Sequence, residues 1–295
     1  METIFPGICG LGECPVWHAP VGRLVWTDHP GSRLWAYDPE TGRSEIFWQG
    51  DLHVGGFAFT RAGGLVLCTD RGVFSIAPED AGNPVARPVR LFDLALAPGE
   101  RFNDVTVDPS GRLFAGTLYE DGRPDGILYR IERGRPPVPV LRGLLCTNGM
   151  TFSLDERTFF HTDSTTRTIT RYTYDRATGG ISDPHPFFRW ADDAAVPDGI
   201  TLDGEDRLWV AMWGGSCVLR LDADGSVLRK VDVPAIQASS VMFGGPRLDA
   251  LYVTSAAEGA DDPATGRNRD GSLQGGPLFQ LDPGVAGRAE WLADL

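Results

Sequence analysis

The sequence predicts an all-β fold, a six-bladed β-propeller, and three observations carry that reading. Six segments begin alike and align without gaps, placing Glu13, Gly55, Asn103, Asn148, Asp198 and Ser239 in one column. Each is followed by further strand-like runs separated by turn residues. The unit recurs every ~40–50 residues with about four strands, the period of a propeller blade. Six such units fill the chain, so one domain spanning 1–295 is expected where length alone would favour two.

The inner strands open each unit. In Glu13-Cys-Pro-Val-Trp17, Gly55-Gly-Phe-Ala-Phe59, Asn103-Asp-Val-Thr-Val107, Asn148-Gly-Met-Thr-Phe152, Asp198-Gly-Ile-Thr-Leu202 and Ser239-Ser-Val-Met-Phe243, the third and fifth positions are apolar. That is the period-2 mark of a strand with one buried face. Second strands follow after a turn, at residues 22–28, 63–70, 111–117, 157–163, 206–211 and 248–254. Third strands recur at 33–38, 72–76, 126–131, 168–172, 217–222 and 277–282. Several end in Asp-Pro or Asp-x-x-Gly turns and lead into a weaker fourth run such as Ser44-Glu-Ile-Phe-Trp48.

The meander decides which residues share a face. The first strand of a blade lines the central channel, and the second returns toward the end where the first began. Glu13, Asn103, Asn148 and Asp198 are thereby expected at one mouth, with loops 28–32, 118–125 and 163–167 and the long segment 255–276. Turns such as Asp108-Pro-Ser-Gly111 and Asp203-Gly-Glu-Asp206 fall on the opposite face and read as structural.

Two carboxylates and two amide oxygens converging on an axis suit a hard divalent ion, which places a metal site at that mouth. Without a cation, Glu13 and Asp198 would repel each other in a partly desolvated neck. No cluster of His or Cys accompanies them, which disfavours a conventional zinc site. Asn148-Gly149 and Asp198-Gly199 are also common turn dipeptides. Their shared register across blades favours the site.

Composition narrows the partners. A net charge of −13, from 40 acidic and 27 basic residues, sets nucleic acid against long-range repulsion. The first residues lack a basic start and an apolar run, and no apolar stretch is long enough to span a bilayer, so neither secretion nor a membrane partner is expected. Cys9, Cys14, Cys68, Cys146 and Cys217 are odd in number and scattered, which reads as reduced thiols in a cytoplasmic protein. Alternation sends Cys14 to the face opposite Glu13, a packing position.

At this point the motifs resemble the senescence-marker-protein/gluconolactonase family, also called regucalcin-like, and more loosely the paraoxonases and diisopropylfluorophosphatase. The matching stretches are Leu11-Gly-Glu-Cys-Pro-Val-Trp17, Arg101-Phe-Asn-Asp104 with Val107-Asp-Pro-Ser-Gly-Arg-Leu-Phe-Ala-Gly-Thr117, Thr147-Asn-Gly-Met150 with His161-Thr-Asp163, and Pro197-Asp-Gly199 with Leu208-Trp-Val-Ala-Met-Trp-Gly-Gly215. The resemblance implies a propeller that hydrolyses sugar lactones with one divalent metal bound by Glu13, Asn148 and Asp198. It implies substrate contacts from Arg101 and Asn103, and from a carboxylate in the loop after Gly116-Thr117 that is either Glu120 or Asp121. The partner expected is a small-molecule sugar lactone, an aldono-lactone such as glucono- or xylonolactone, and the protein a monomer or weak homo-oligomer. The metal is calcium, zinc, magnesium, manganese or ferrous iron.

Opening a cyclic ester requires charge stabilised on the carbonyl oxygen and water delivered to the carbonyl carbon, and a divalent ion serves both needs. Asp198 is the expected general base as well as a ligand, since a monodentate carboxylate keeps one oxygen free. Arg101 offers five donors for substrate oxygens; its alternative is an ion pair with Glu100 or Asp104. The absence of a Gly-x-Ser-x-Gly elbow, and of a His near Ser239 in the repeat, disfavours serine catalysis. His18 and His161 read as structural, His29 as a mouth-loop residue, and Trp213 as either a wall for the sugar ring or blade packing. Segment 256–276 reads as a mobile surface loop or a lid. Two other functions fit the same mouth: a calcium-binding propeller without catalysis, and a metal-dependent phosphotriesterase or aryl-ester hydrolase.

Overall fold

A computed structural model describes residues 1–295. An N-terminal strand, β1 (Glu2–Phe5), precedes the first blade, β2 (Gly12–His18), β3 (Arg23–Asp28), β4 (Arg33–Asp38) and β5 (Arg43–Gln49). Blade two is β6 (Val54–Phe59), β7 (Leu65–Thr69), β8 (Gly72–Ile76) and β9 (Val89–Arg90); blade three is β10 (Glu100–Val107), β11 (Leu113–Tyr119), β12 (Gly126–Ile131) and β13 (Val138–Leu144). Blade four is β14 (Thr147–Phe152), β15 (Thr158–Asp163), β16 (Thr168–Asp175) and β17 (Gly180–Arg189); blade five is β18 (Val196–Leu202), β19 (Leu208–Trp213), β20 (Cys217–Leu221) and β21 (Val227–Asp232). Blade six takes β22 (Ala238–Gly244), β23 (Ala250–Ser255) and β24 (Leu278–Leu281). Each blade is a four-stranded antiparallel sheet, and the inner strands β2, β6, β10, β14, β18 and β22 touch their neighbours in a closed ring.

The ring closes by a device the repeat did not reveal. Blade six has no fourth strand of its own after β24; β1 supplies it, pairing Glu2 with Gln280, Thr3 with Phe279 and Phe5 with Leu278. The same short strand packs on blade one, with the Phe5 ring 5.2 Å from Trp26 and 5.0 Å from Trp35. One segment therefore hydrogen-bonds to the last blade while burying its aromatic ring against the first. Trp17 and Tyr252 stack across the same seam.

Two further features position the site. A break in register brackets the aligned column in every inner strand: between Glu13 and Val16, Val54 and Gly56, Phe102 and Val105, Thr147 and Met150, Pro197 and Ile200, and Ala238 and Ser240. Such bulges bend a strand and re-aim the side chains at the extra residue. Asn148-Gly149 and Asp198-Gly199 accordingly lie inside β14 and β18, not in hairpin turns. Cys14 packs in the hydrophobic core and does not line the cavity that Glu13 lines, as expected. Its φ is +46°, and its thiol lies 3.6 Å from the Phe57 carbonyl, beside the channel.

The C-terminal segment crosses the far face, bonding Gly204 N to Ala286 O, Gly287 N to Leu248 O, and Ala293 N to Phe59 O. Trp291 packs against Phe152 of the inner wall and, with Glu290 and Leu292, lines the far end of the channel. The far-face turns are structural, as expected. Asp108 Oδ1 accepts from the backbone N–H of Ser110 and Arg112, and its Oδ2 from the Tyr174 hydroxyl of blade four at 2.7 Å. Asp203 likewise accepts from Glu205 and Arg207 backbone N–H groups and from the Trp209 indole.

Truncating the closing strand tests this seam. Phe5→Ala removes a buried ring and is expected to cost about 3 kcal/mol, by the usual loss for an aromatic cut to alanine in a core. Urea denaturation checks it, and an unchanged midpoint would show that β1 does not hold the ring shut.

Candidate metal and substrate site at the channel mouth

A cavity of about 260 Å³ opens at the mouth and is lined by four members of the column, Glu13, Asn103, Asn148 and Asp198. Gly55 and Ser239, the other two, stay outside it. A side chain at Gly55 would meet the Phe102 carbonyl, and the Ser239 hydroxyl bonds to the Gly12 carbonyl and lies 3.0 Å from Thr254 Oγ1. Arg101, Leu118, Ser164, Thr165, Trp213 and Glu258 complete much of the wall, so the second-to-third-strand loops gather on this face as the meander requires. Outward, the cavity continues into a wider vestibule of about 470 Å³ that reaches His29, Tyr119 and Glu120.

Asp198 is 3% exposed, and its Oδ1 is buried without a hydrogen-bond partner. Burial, then the charges of Glu13 and Asp104, push its carboxyl well above the ordinary aspartate range. Glu13 is raised for the same reasons, burial first and Asp104 second, with the Cys14 N–H and Arg101 opposing. Asn148 donates from Nδ2 to Ser164 Oγ at 3.0 Å, which leaves its Oδ1 for the cavity. Ser164 in turn donates to the Pro197 carbonyl at 2.7 Å, tying the amide of β14 to the strand that carries Asp198.

These residues fit a hard divalent ion. A buried carboxylate oxygen with no partner is costly, and here a second carboxylate and a free amide oxygen face the same space. The chain gathers no group of three or more His, Cys, Asp or Glu suited to a metal; the candidate set is two acids and one amide. Cys146 also lines the cavity, but burial, then Asp198 and Asp163, push its thiol up to about 12, so it is neutral at physiological pH. All five cysteines are unpaired.

Arg101 makes neither alternative ion pair. Its Nη1 donates to Asn103 Oδ1 at 2.7 Å and to the Phe102 carbonyl at 3.2 Å, while Glu100 bonds to Thr117. Asn103 donates to the Thr147 carbonyl at 2.8 Å. One amide N–H of Asn103 and most of the guanidinium edge are left for a ligand. Burial lowers the Arg101 pKa from its ordinary value, and Cys146, Glu120, Glu258 and Glu13 oppose that shift. Glu120 lines the vestibule. Asp121 does not; it accepts from the Arg123 backbone at 3.1 Å.

The remaining residues singled out in the sequence separate cleanly. His18 stacks on Phe59 away from the mouth, and His161 is buried within β15, its pKa lowered to about 4 by burial. His29 reaches only the vestibule, and Trp213 lines the inner cavity. Ser164, Cys146 and Glu258 were not picked out as site residues, since no motif marks them; only the ring brings them to the column. A smaller void of about 60 Å³ lies deeper, between Cys14, Asp104, Met150 and Trp291, and is mostly apolar.

The arrangement is a six-bladed propeller with two acids and an amide gathered at one mouth of its channel. The chain belongs to the SMP-30/Gluconolactonase/LRE-like family, whose profile matches residues 11–257. It is 38% identical to the pentonolactonase XacC of Haloferax volcanii, covering 97% of this chain and 96% of that one. It is 32% identical to regucalcin of Xenopus laevis, covering 89% and 88% respectively. Among solved structures, regucalcin from Agrobacterium tumefaciens, described as a calcium-binding protein, superimposes with a TM-score of 0.89 at 26% identity, covering 99% of this chain and 97% of that one. No helix of the chain is long and apolar enough to cross a membrane.

Two outcomes follow from this geometry. Because burial and mutual repulsion favour the protonated acids, uptake of a divalent ion is expected to release protons. Calorimetric titration in two buffers of different ionisation heat measures the number, and none released at pH 7 would mean the acids were already ionised. Ser164→Ala removes the group that turns the Asn148 oxygen inward, and is expected to weaken metal affinity roughly tenfold, the lower end for outer-shell losses, without changing the melting temperature of the chelator-treated protein.

Proposed function

We propose that the protein hydrolyses a sugar lactone, an aldono-lactone such as glucono- or xylonolactone, to its aldonic acid, with one divalent metal held by Glu13, Asn148 and Asp198. The observation that carries this reading is the unpartnered, buried Asp198 oxygen facing Glu13 and Asn148, with Arg101 in the same cavity. The likeness to a pentonolactonase supports the substrate class, and the likeness to a calcium-binding regucalcin supports calcium among the candidate ions.

A bound divalent ion would polarise the lactone carbonyl and lower the pKa of a water molecule. The chain's own residues account for the rest. Asp198 takes the proton from the attacking water through its free oxygen, and that proton is available to the ring oxygen when the C–O bond breaks. Arg101, oriented by Asn103, donates to substrate oxygens and offsets the charge that develops on the carbonyl. Leu118 and Trp213 supply apolar wall and limit water. The balance is one water consumed and one carboxylic acid formed.

A panel of aldonolactones followed by proton release tests the reading. The metal-loaded protein is expected to open at least one; chelator is expected to abolish the activity, and a divalent ion to restore it. Asp198→Asn is expected to lose roughly 10³-fold in kcat, the middle of the range for a general base. Activity untouched by thorough metal removal would refute metal dependence. An inert wild type that still takes up calcium would favour a binding protein without chemistry.

A further inference from the structure

We propose that Glu258 is a specificity-determining residue, an acceptor for the ring hydroxyls of the substrate. This rests on the reading of the mouth as a sugar-lactone site. Glu258 belongs to the excursion between β23 and β24, and it is the one carboxylate that lines both the inner cavity and the vestibule; Glu120 reaches only the outer one.

Its carboxylate has no hydrogen bond or ion pair within the chain, unlike the other acids of the same excursion. Asp261 pairs with Arg269, Asp262 accepts from the Ala264 N–H and the Thr265 hydroxyl, and Asp270 accepts from Ser272. Those three serve the turns of the segment, and Glu258, an exposed acid, is left over on the wall of a space that it shares with Arg101.

The backbone that carries it is tied down. Ala256 N donates to the Gln237 carbonyl and Ala257 N to the Cys9 carbonyl, at 3.1 and 3.2 Å. The Gln237 amide, in the orientation that satisfies both its ends, donates to the carbonyls of Ala256 and Glu258 at 2.9 and 3.0 Å and accepts from Gln274. Farther along, Ile236 N and Gln237 N bond to the Leu273 and Gln274 carbonyls, and Cys9 N to that of Gly276. The two ends of the segment, 256–258 and 273–276, are thus fastened to blade six and to the N-terminal approach. The tied backbone sets where the exposed Glu258 side chain leaves the rim, so it needs to order only its own rotamers to reach a hydroxyl.

The chemistry complements the rest of the mouth. Arg101 and the free Asn103 N–H are donors and serve the acceptor lone pairs of carbonyl and ring oxygens. A polyhydroxylated ring also carries donors, and an ionised carboxylate accepts O–H groups in short, strong hydrogen bonds. A lactone without hydroxyls gains nothing from Glu258.

Glu258→Gln, which keeps size and removes charge, separates this from a merely exposed acid. With xylonolactone and gluconolactone the variant is expected to show a KM raised about tenfold, the effect of one charge-assisted hydrogen bond at a partly open site, with kcat within about twofold. With γ-butyrolactone, which has no ring hydroxyls, kcat/KM is expected to be unchanged. In parallel, calorimetry with xylonolactam and gluconolactam, whose ring amides resist opening, is expected to show the same loss of affinity. Metal affinity is expected to be unaltered. Equal effects on γ-butyrolactone and the sugar lactones, or lactam binding indifferent to the substitution, would overturn the role of Glu258 while leaving lactone hydrolysis intact. Glu258-dependent lactam binding by a protein that opens no lactone would overturn the hydrolytic reading and leave the recognition standing. No lactam binding and no lactone opening would overturn both.

Discussion

At the neck of the channel neighbouring inner strands approach so closely that no side chain fits between some of them. A Cβ on Gly149 would lie 2.5 Å from the Asp198 carbonyl oxygen, and one on Gly199 would lie 2.0 Å from Ser240 Oγ. Only a residue without a side chain fits at each contact, and in both cases it directly follows a proposed metal ligand. The close approach keeps Asn148 and Asp198 within one small space, and the bulges turn their side chains into it. Packing of the ring and geometry of the site are thus the same constraint.

That convergence has an electrostatic cost. Glu13, Asp104 and Asp198 are brought into mutual influence where burial raises the pKa of each, and Arg101 opposes the shift at Glu13 alone. Carboxylates so poorly compensated at the axis would be held neutral by a proton or offset by a cation. Blade packing elsewhere, with inner strands such as β6 and β14 buried throughout, provides the stability against which such a site can be maintained.

The blades were legible because a strand's period and its bounding turns are local. Residues 33–38, 72–76 and 126–131 read as third strands and form β4, β8 and β12. The mouth was legible because a repeat transfers position: a column shared by successive blades has to share a height in the ring. Ser164 and Glu258 were not, since neither belongs to the repeated strands and each reaches the cavity only because distant segments meet there. The bulges were hidden too, because Asn-Gly and Asp-Gly look the same whether they make a hairpin turn or an inserted residue within a strand.

The sequence by itself determined six meandering blades, an acidic surface, and a column of oxygen donors at one end of the channel, because hydrophobic period, turn chemistry and charge are written residue by residue. Tertiary structure alone decided three things: that β1 closes the ring from the far end of the chain, that Asn103 serves Arg101 and Thr147 through its amide, and that the β23–β24 excursion brings a free carboxylate to the mouth. Each depends on which segments meet across the ring, the excursion being tied to it only at its two ends, and that follows from closing six sheets about one axis, a condition no local stretch of sequence states.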